Sequence, residues 1–409
     1  MTTDPRYLET AIADLCFSGH KMAFISGPRQ CGKTTMTKHL LKERGQGAYF
    51  NWDDLRFRKL WTKDPSGITN GFHDQLPLII LDEIHKAKLW KRNLKGVYDT
   101  LDNPADIIVT GSTTLNVYKK GGDSLLGRYY HFRMHPFSLA ELLENRDTTP
   151  PDLLLDKIFH TPNPTTDESS PHLNNLYEFG PFPEPLFAQS QKKLNAWRLG
   201  RIERLVREDL RDLSRISELS RIEMLVSLLP DRASNALSIQ SLSEDLEVAY
   251  TTIQRWMNYL EALYYHFELM PYSTRLSRTI KKETKLYLWD WSEIADDGAR
   301  FENLIGAHLL KYVHHMTDAG YGKYELRYVR NKQKQEIDFL ILKNNQPWLP
   351  IEVNLSQTTP SDNWRHIMPL LGCKRGLQIV KTPNINIIYP YAFGDVAIKS
   401  AAQCLNFLS

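Results

Sequence analysis

Eight consecutive residues, Gly27-Pro28-Arg29-Gln30-Cys31-Gly32-Lys33-Thr34, constrain this chain more than any others. They fit the pattern G-x-x-x-x-G-K-[ST], which carries meaning only between a strand and a helix. Both flanks are present: an apolar run, Met22–Ser26, stands before it and a helical stretch, Thr35–Glu43, after it. Glycines let such a loop curl so that successive N–H groups converge on phosphate oxygens at the start of a helix. The expected nucleotide-binding set is therefore Gly27, Pro28, Arg29, Gln30, Cys31, Gly32, Lys33, Thr34 and Thr35. Within it, Lys33 is expected to reach the β- and γ-phosphates and the Thr34 hydroxyl to ligate Mg²⁺.

A second signal comes about 45 residues later, counting along the sequence. Leu78–Leu81 is a short apolar run that ends in Asp82 and Glu83. Asp82, at the carboxyl end of such a strand, is expected to hold Mg²⁺, and Glu83 to polarise the attacking water. A third run, Ile107–Val109, ends in Thr110-Gly111-Ser112. If it lies between the two strands already named, Thr110 or Ser112 stands beside the γ-phosphate, and Ser112 joins the catalytic set. Arg128, closing a helix-like stretch, is placed to reach the γ-phosphate of a neighbouring subunit; capping its own helix is the alternative.

Near-continuous apolar strands separated by helices mark a parallel sheet covered on both faces, so the first 145 residues read as an α/β domain. The segment 146–235 is expected to be a linker and helical lid, because Pro150, Pro151, Pro164 and Pro181 interrupt its first part. Residues 236–290 read as two helices and a β-hairpin, the outline of a winged helix, and 291–409 as a second α/β unit. In the second of those helices Ile253, Met257 and Leu260 turn inward. Tyr250, Thr251, Gln254 and Arg255 are left on a polar face suited to DNA, and Lys281 and Lys282 fall on the candidate wing. A further basic run, His85 to Lys95, lies just after Glu83.

Composition narrows the partners. Lys and Arg number 51 against 48 Asp and Glu, a balance of +3, so any nucleic-acid footprint must be a local patch. The four cysteines form no CxxC pair, which suits a reducing cytoplasm. The longest apolar runs fall far short of a membrane span, and no membrane is expected as a partner.

Several further stretches occur in a recognisable order: YFNWDD, LIILDEIHK, IIVTGS, SLLGR, HPFSLAEL, KLYLWD, FENLI, EIDFLI and IEVN. The chain resembles the prokaryotic AAA+-type ATPases that carry a C-terminal domain of uncharacterised function similar to a PD-(D/E)xK nuclease. The resemblance implies an ATPase core, a lid with a winged helix and a nuclease-like α/β end. A nuclease of that kind needs acids to hold Mg²⁺ and a lysine to position water or neutralise phosphate. Glu302, Asp338 and Glu352 are the candidate acids, but Asn354 stands where relatives commonly have lysine. An inactive or DNA-clamping end is the expectation; the alternative is that Lys343 or another residue supplies the charge from elsewhere.

These readings converge on an ATP- and Mg²⁺-dependent, oligomeric ATPase, with a hexameric ring favoured, that moves or remodels DNA. An ATP-regulated nuclease and a nucleotide-switched protein scaffold are the rival readings.

Overall fold

The computed structural model describes residues 6–72, 76–101, 104–111, 125–145, 150–162, 169–210, 218–273 and 283–408, with the side chains of 208 and 209 excepted. Ser112, Lys281 and Lys282 lie outside the described residues. The chain divides into two units, one ending at Pro136 and one beginning at Phe137.

In the first unit the apolar runs become the strands β1 (Met22–Ser26), β2 (Gly47–Asn51), β3 (Leu78–Asp82), β4 (Asp106–Gly111) and β5 (Tyr129–Arg133). All are parallel, in the order β2-β3-β4-β1-β5. β1, β3 and β4 are buried at every position, which is why their sequences are apolar before the polar carboxyl end, apart from Asp106 at the start of β4, which pairs with Arg44 (2.7 Å). β4 sits between β1 and β3, so the carboxyl ends of the P-loop strand and the Asp82 strand both border Thr110. The helix Lys33–Arg44 begins directly at the loop after β1. It has no acid in its first turn, carries Lys42 and Arg44 in its last, and stops at Gly45 in the left-handed region. The two cations complement the C-terminal end of the helix dipole, while the N-terminal end is left without an acid of its own. The helix Trp90–Thr100 buries Trp90, Leu94 and Val97 in the same core as Phe24, Ile79 and Val109.

The second unit begins at Phe137. Phe137 N–H donates to the Pro181 carbonyl (3.0 Å), and Glu141 forms a buried ion pair with Lys311, so this stretch is fastened into the second unit. The segment read as linker is largely helical where described: Pro151–His160, Ser169–Phe179 and Pro183–Ala188. Two of its prolines open helices, where the missing N–H costs nothing and the fixed φ helps. The helices Ile239–Asp245 and Tyr250–Ala262 precede an antiparallel hairpin of β6 (His266–Leu269) and β7 (Lys285–Leu288). Ile253, Met257 and Leu260 are buried as expected, and Trp256 joins them.

The remaining strands form one sheet: β8 (Tyr324–Arg330), β9 (Glu336–Lys343), β10 (Gln346–Asn354), β11 (Arg375–Val380), β12 (Asn386–Tyr391) and β13 (Gly394–Ser400). Their order is β12-β13-β11-β10-β9-β8, with β8, β9 and β10 antiparallel neighbours and β10, β11 and β13 parallel ones. Side chains alternate between two cores: Phe339 and Ile341 join the cluster containing the helix Asp297–Asp318, while Leu340 and Leu342 pack with Trp364, Ile367 and Met368. The hairpin is tied to this sheet, since Tyr272 N–H donates to the Tyr328 carbonyl (2.7 Å).

Candidate functional site

The loop after β1 is shaped by close backbone approach. A Cβ on Gly27 would stand 2.2 Å from the Met134 carbonyl oxygen, and Gly32 has φ 105°, where a side chain is strained. The Arg6 guanidinium braces the loop, donating to the carbonyls of Cys31 and His135, each at 2.8 Å. Lys33 is 7% exposed, and its ammonium donates to the carbonyls of Gly27 (2.8 Å) and Pro28 (2.7 Å). Among the described residues no carboxylate partners it. A buried ammonium held only by neutral groups, two carbonyls and the Cys31 Sγ (3.9 Å), is a site for an anion, and a phosphate fits both the charge and the converging N–H groups.

Asp82 is 5% exposed and collects four donors from three elements. Its Oδ2 accepts from the Thr34 hydroxyl (3.1 Å), the Tyr49 hydroxyl (2.5 Å) and Asn51 Nδ2 (3.5 Å), and its Oδ1 accepts from the Thr110 hydroxyl (2.5 Å). Of the two hydroxyls considered, Thr110 is described and meets the acid, while Ser112 lies outside the described residues. Tyr49 is driven up to about 12 by burial and by the hydrogen bond to Asp82, so it remains a donor at all working pH values. Tyr49 and Asn51 were not foreseen. Their signal was a polar pair two apart on an otherwise apolar strand, which puts both on one face. The Thr34–Asp82 contact is the donor set expected for Mg²⁺. Glu83 takes the left-handed conformation (φ 58°), and its N–H donates to the Thr110 carbonyl (3.0 Å). Its carboxylate lies 3.5 Å from His85 Nε2 and 3.8 Å from the Lys86 ammonium.

Arg128 does not stand free for a neighbour. Its guanidinium makes a two-pronged contact with Asp99, at 2.6 and 3.0 Å, at the end of the helix Trp90–Thr100. On the helix Tyr250–Ala262, Tyr250, Thr251, Gln254 and Arg255 are exposed, on the side opposite the buried Ile253, Trp256, Met257 and Leu260.

Two of the three candidate acids, Glu302 and Asp338, converge together with Glu336 on a residue that sequence reasoning passed over. Lys285, at the start of β7, is 7% exposed at its side chain and reaches Glu336 (2.5 Å), Glu302 (3.3 Å) and Asp338 (3.5 Å). Glu302 Oε1 also accepts from the Tyr287 hydroxyl (2.7 Å), Asp338 Oδ2 from Val353 N–H (2.9 Å), and Glu352 Oε2 from the Ser361 hydroxyl (2.6 Å). Burial, with repulsion from Asp338 second, pushes Glu302 up to about 8. Burial pushes Glu352 up to about 7 and raises Asp338 as well. Burial alone would lower Lys285, but Glu302, Asp338 and Glu336 outweigh it and hold the amine charged. Lys343, weighed as a substitute cation, is instead paired with Asp152. The signal that could have found Lys285 is a lone charge at the head of an apolar strand.

Residues 19–143 match the family model of an AAA domain, and 170–293 and 297–393 match two domains of unknown function, DUF8612 and DUF4143. An uncharacterised protein of Haemophilus influenzae is 20% identical over 371 residues, spanning 84% of this chain and 85% of that one. An uncharacterised protein of Mycobacterium tuberculosis is 22% identical over 334 residues, spanning 80% and 69%. Among solved structures, a Walker-type ATPase of Pyrococcus abyssi aligns with 69% of this chain and 93% of its own at 16% identity, with a TM-score of 0.40. The AAA match and the constellation around Lys33 and Asp82 together support an AAA-type P-loop ATPase domain in the first unit. Among the described residues, no helix is long and apolar enough to cross a membrane.

Proposed function

We propose that the chain is an oligomeric ATPase that uses Mg²⁺-bound ATP and couples its hydrolysis to the movement or remodelling of DNA. The observation that carries the nucleotide half of this reading is the buried Lys33 ammonium, held by loop carbonyls beside an Asp82 that already collects the Thr34 and Thr110 hydroxyls. Mg²⁺, when bound, supplies charge neutralisation to the phosphates. Lys33 orients them, Thr34 and Asp82 hold the metal side, and Glu83 polarises the attacking water. The DNA half is supported by exposed Gln254 and Arg255 on the helix Tyr250–Ala262 and by exposed Lys88 shortly after Glu83. We read the helix pair and hairpin as a winged helix. A ring, most simply a hexamer, results if Arg128 leaves Asp99 to complete a neighbour's site.

The test is ATP turnover by the full chain with and without duplex, single-stranded and branched DNA. Turnover is expected to rise with at least one DNA and to be lost in Lys33→Ala and Glu83→Gln, while Glu83→Gln still binds nucleotide. Wild-type protein that fails to bind ATP with Mg²⁺ overturns the reading; turnover indifferent to every DNA removes its DNA half.

A further inference from the structure

The resemblance to PD-(D/E)xK nucleases implies a divalent metal among Glu302, Asp338 and Glu352, and the residues present do not fit one. An ammonium has three N–H donors. Those of Lys285 face three carboxylates, from the helix Asp297–Asp318 and from two positions of β9. Nothing is left over to hold a water or a phosphate, which a lysine assisting hydrolysis must do. At 7% side-chain exposure the amine is also closed to a substrate. Mg²⁺ demands about six oxygens at close to 2.1 Å, and a fixed positive charge in the same carboxylate cage opposes it. Among the described residues no group of three or more His, Cys, Asp or Glu is disposed to hold a metal ion.

We propose that Lys285 is the resident cation of this carboxylate cluster: it takes the place of the metal, closes the site to divalent ions and phosphodiesters, and fastens β7 of the hairpin to the helix Asp297–Asp318 and to β9. The contribution comes from outside the sheet. Lys285 lies 17 residues before Glu302 and 53 before Asp338, from 302 − 285 and 338 − 285, so it reaches the cluster only because β7 packs there. Tyr287, two residues on, repeats the tie through its hydroxyl to Glu302, and Arg330 (3.6 Å) helps to balance Glu336. Glu302 is raised by burial first and by repulsion from Asp338 second, which agrees with two acids sharing one ammonium in a buried cluster.

The experiment is a Mn²⁺ titration, read by electron paramagnetic resonance, of the nucleotide-free full chain, together with DNA cleavage in Mg²⁺ or Mn²⁺. Wild type is expected to cleave nothing, and Asp338→Asn to leave its Mn²⁺ binding unchanged. Lys285→Met, which removes the charge but keeps the bulk, is expected to tighten Mn²⁺ binding at least tenfold, because a unit charge about 4 Å away is gone. The gain should vanish in the Lys285→Met, Asp338→Asn double variant, and Lys285→Arg should not show it. The proposal is overturned if Lys285→Met folds and gains no Mn²⁺ site. It is equally overturned if Asp338→Asn weakens Mn²⁺ binding in a chain that retains Lys285, or if wild type cleaves DNA and Lys285→Met abolishes it. Should Lys285→Met not fold, the Asp338→Asn comparison decides alone. ATP turnover is not a readout here, so failure of the ATPase reading would leave this result standing.

Discussion

His308 shows how one buried side chain writes a pH dependence into the second unit. It is fully buried on the helix Asp297–Asp318, where Nε2 accepts from Leu139 N–H (3.1 Å) and Nδ1 faces the Leu304 carbonyl (2.8 Å). That pattern fixes one neutral tautomer, with the proton on Nδ1. Burial pushes the imidazole down to about 4, from an ordinary value of 6.5. The unfolded chain therefore binds a proton between these values and the folded chain does not, so stability from this group is complete above about pH 6.5 and drains away as pH falls toward 4. The drop corresponds to about 3 kcal/mol at most, at about 1.4 kcal/mol per pH unit. Glu302 and Glu352 have raised values and slope the other way, so the measurement must be a difference. Urea unfolding of wild type and His308→Gln should show a stability gap that is widest near pH 7.5 and closes as pH approaches 4. A gap constant across that range would mean the imidazole is not held neutral.

At the scale of elements, the helix Asp297–Asp318 meets β9 closely enough that a single methyl group matters. A Cβ on Gly306 would lie 2.9 Å from two ring atoms of Phe339 and 3.4 Å from the Tyr287 ring. Alanine gains about 1 kcal/mol of helix propensity over glycine. Overpacking against two buried rings costs about 1–3 kcal/mol, so the clash is expected to win. Gly306→Ala should lower the thermal midpoint of the second unit, and an unchanged or higher midpoint would show that Phe339 can move aside. The same scale explains what the sequence concealed. Apolar runs without alternation marked β1, β3 and β4 because both faces of that sheet are covered. β12 escaped notice because Asn386–Tyr391 is an edge strand with exposed Ile388 and a proline, so burial leaves little pattern on it. The stretch around Pro151 and Pro183 looked like linker because a proline reads as a breaker until its place at a helix start is known.

Across the whole molecule, the open matter is assembly, and Arg128 is its probe. In the single chain it holds Asp99 through two nitrogens, an exposed pair worth little in stability. A finger acting in trans must exchange that carboxylate for phosphate charge, and such a residue is worth about 10³-fold or more in turnover. If Arg128 acts so, Arg128→Ala should lose turnover on that scale while ATP binding persists. Asp99→Asn, which releases the arginine, should keep turnover. Sedimentation with and without ATP should show assembly that both variants retain. Near-normal hydrolysis by Arg128→Ala would assign the residue to its Asp99 contact alone.

Contiguous chemistry was readable in the linear chain: Gly27 to Thr34 form one turn, and Asp82 with Glu83 close one strand, so spacing alone defines both. That Thr110 meets Asp82, that Tyr49 and Asn51 join it, that Arg128 is bound to Asp99, and that Lys285 meets Glu302, Glu336 and Asp338 were decided by tertiary structure. The physical reason is range. A loop that cradles phosphate is built by neighbouring peptide groups, whereas charges on separate elements find one another only after packing has excluded the water that would otherwise screen them.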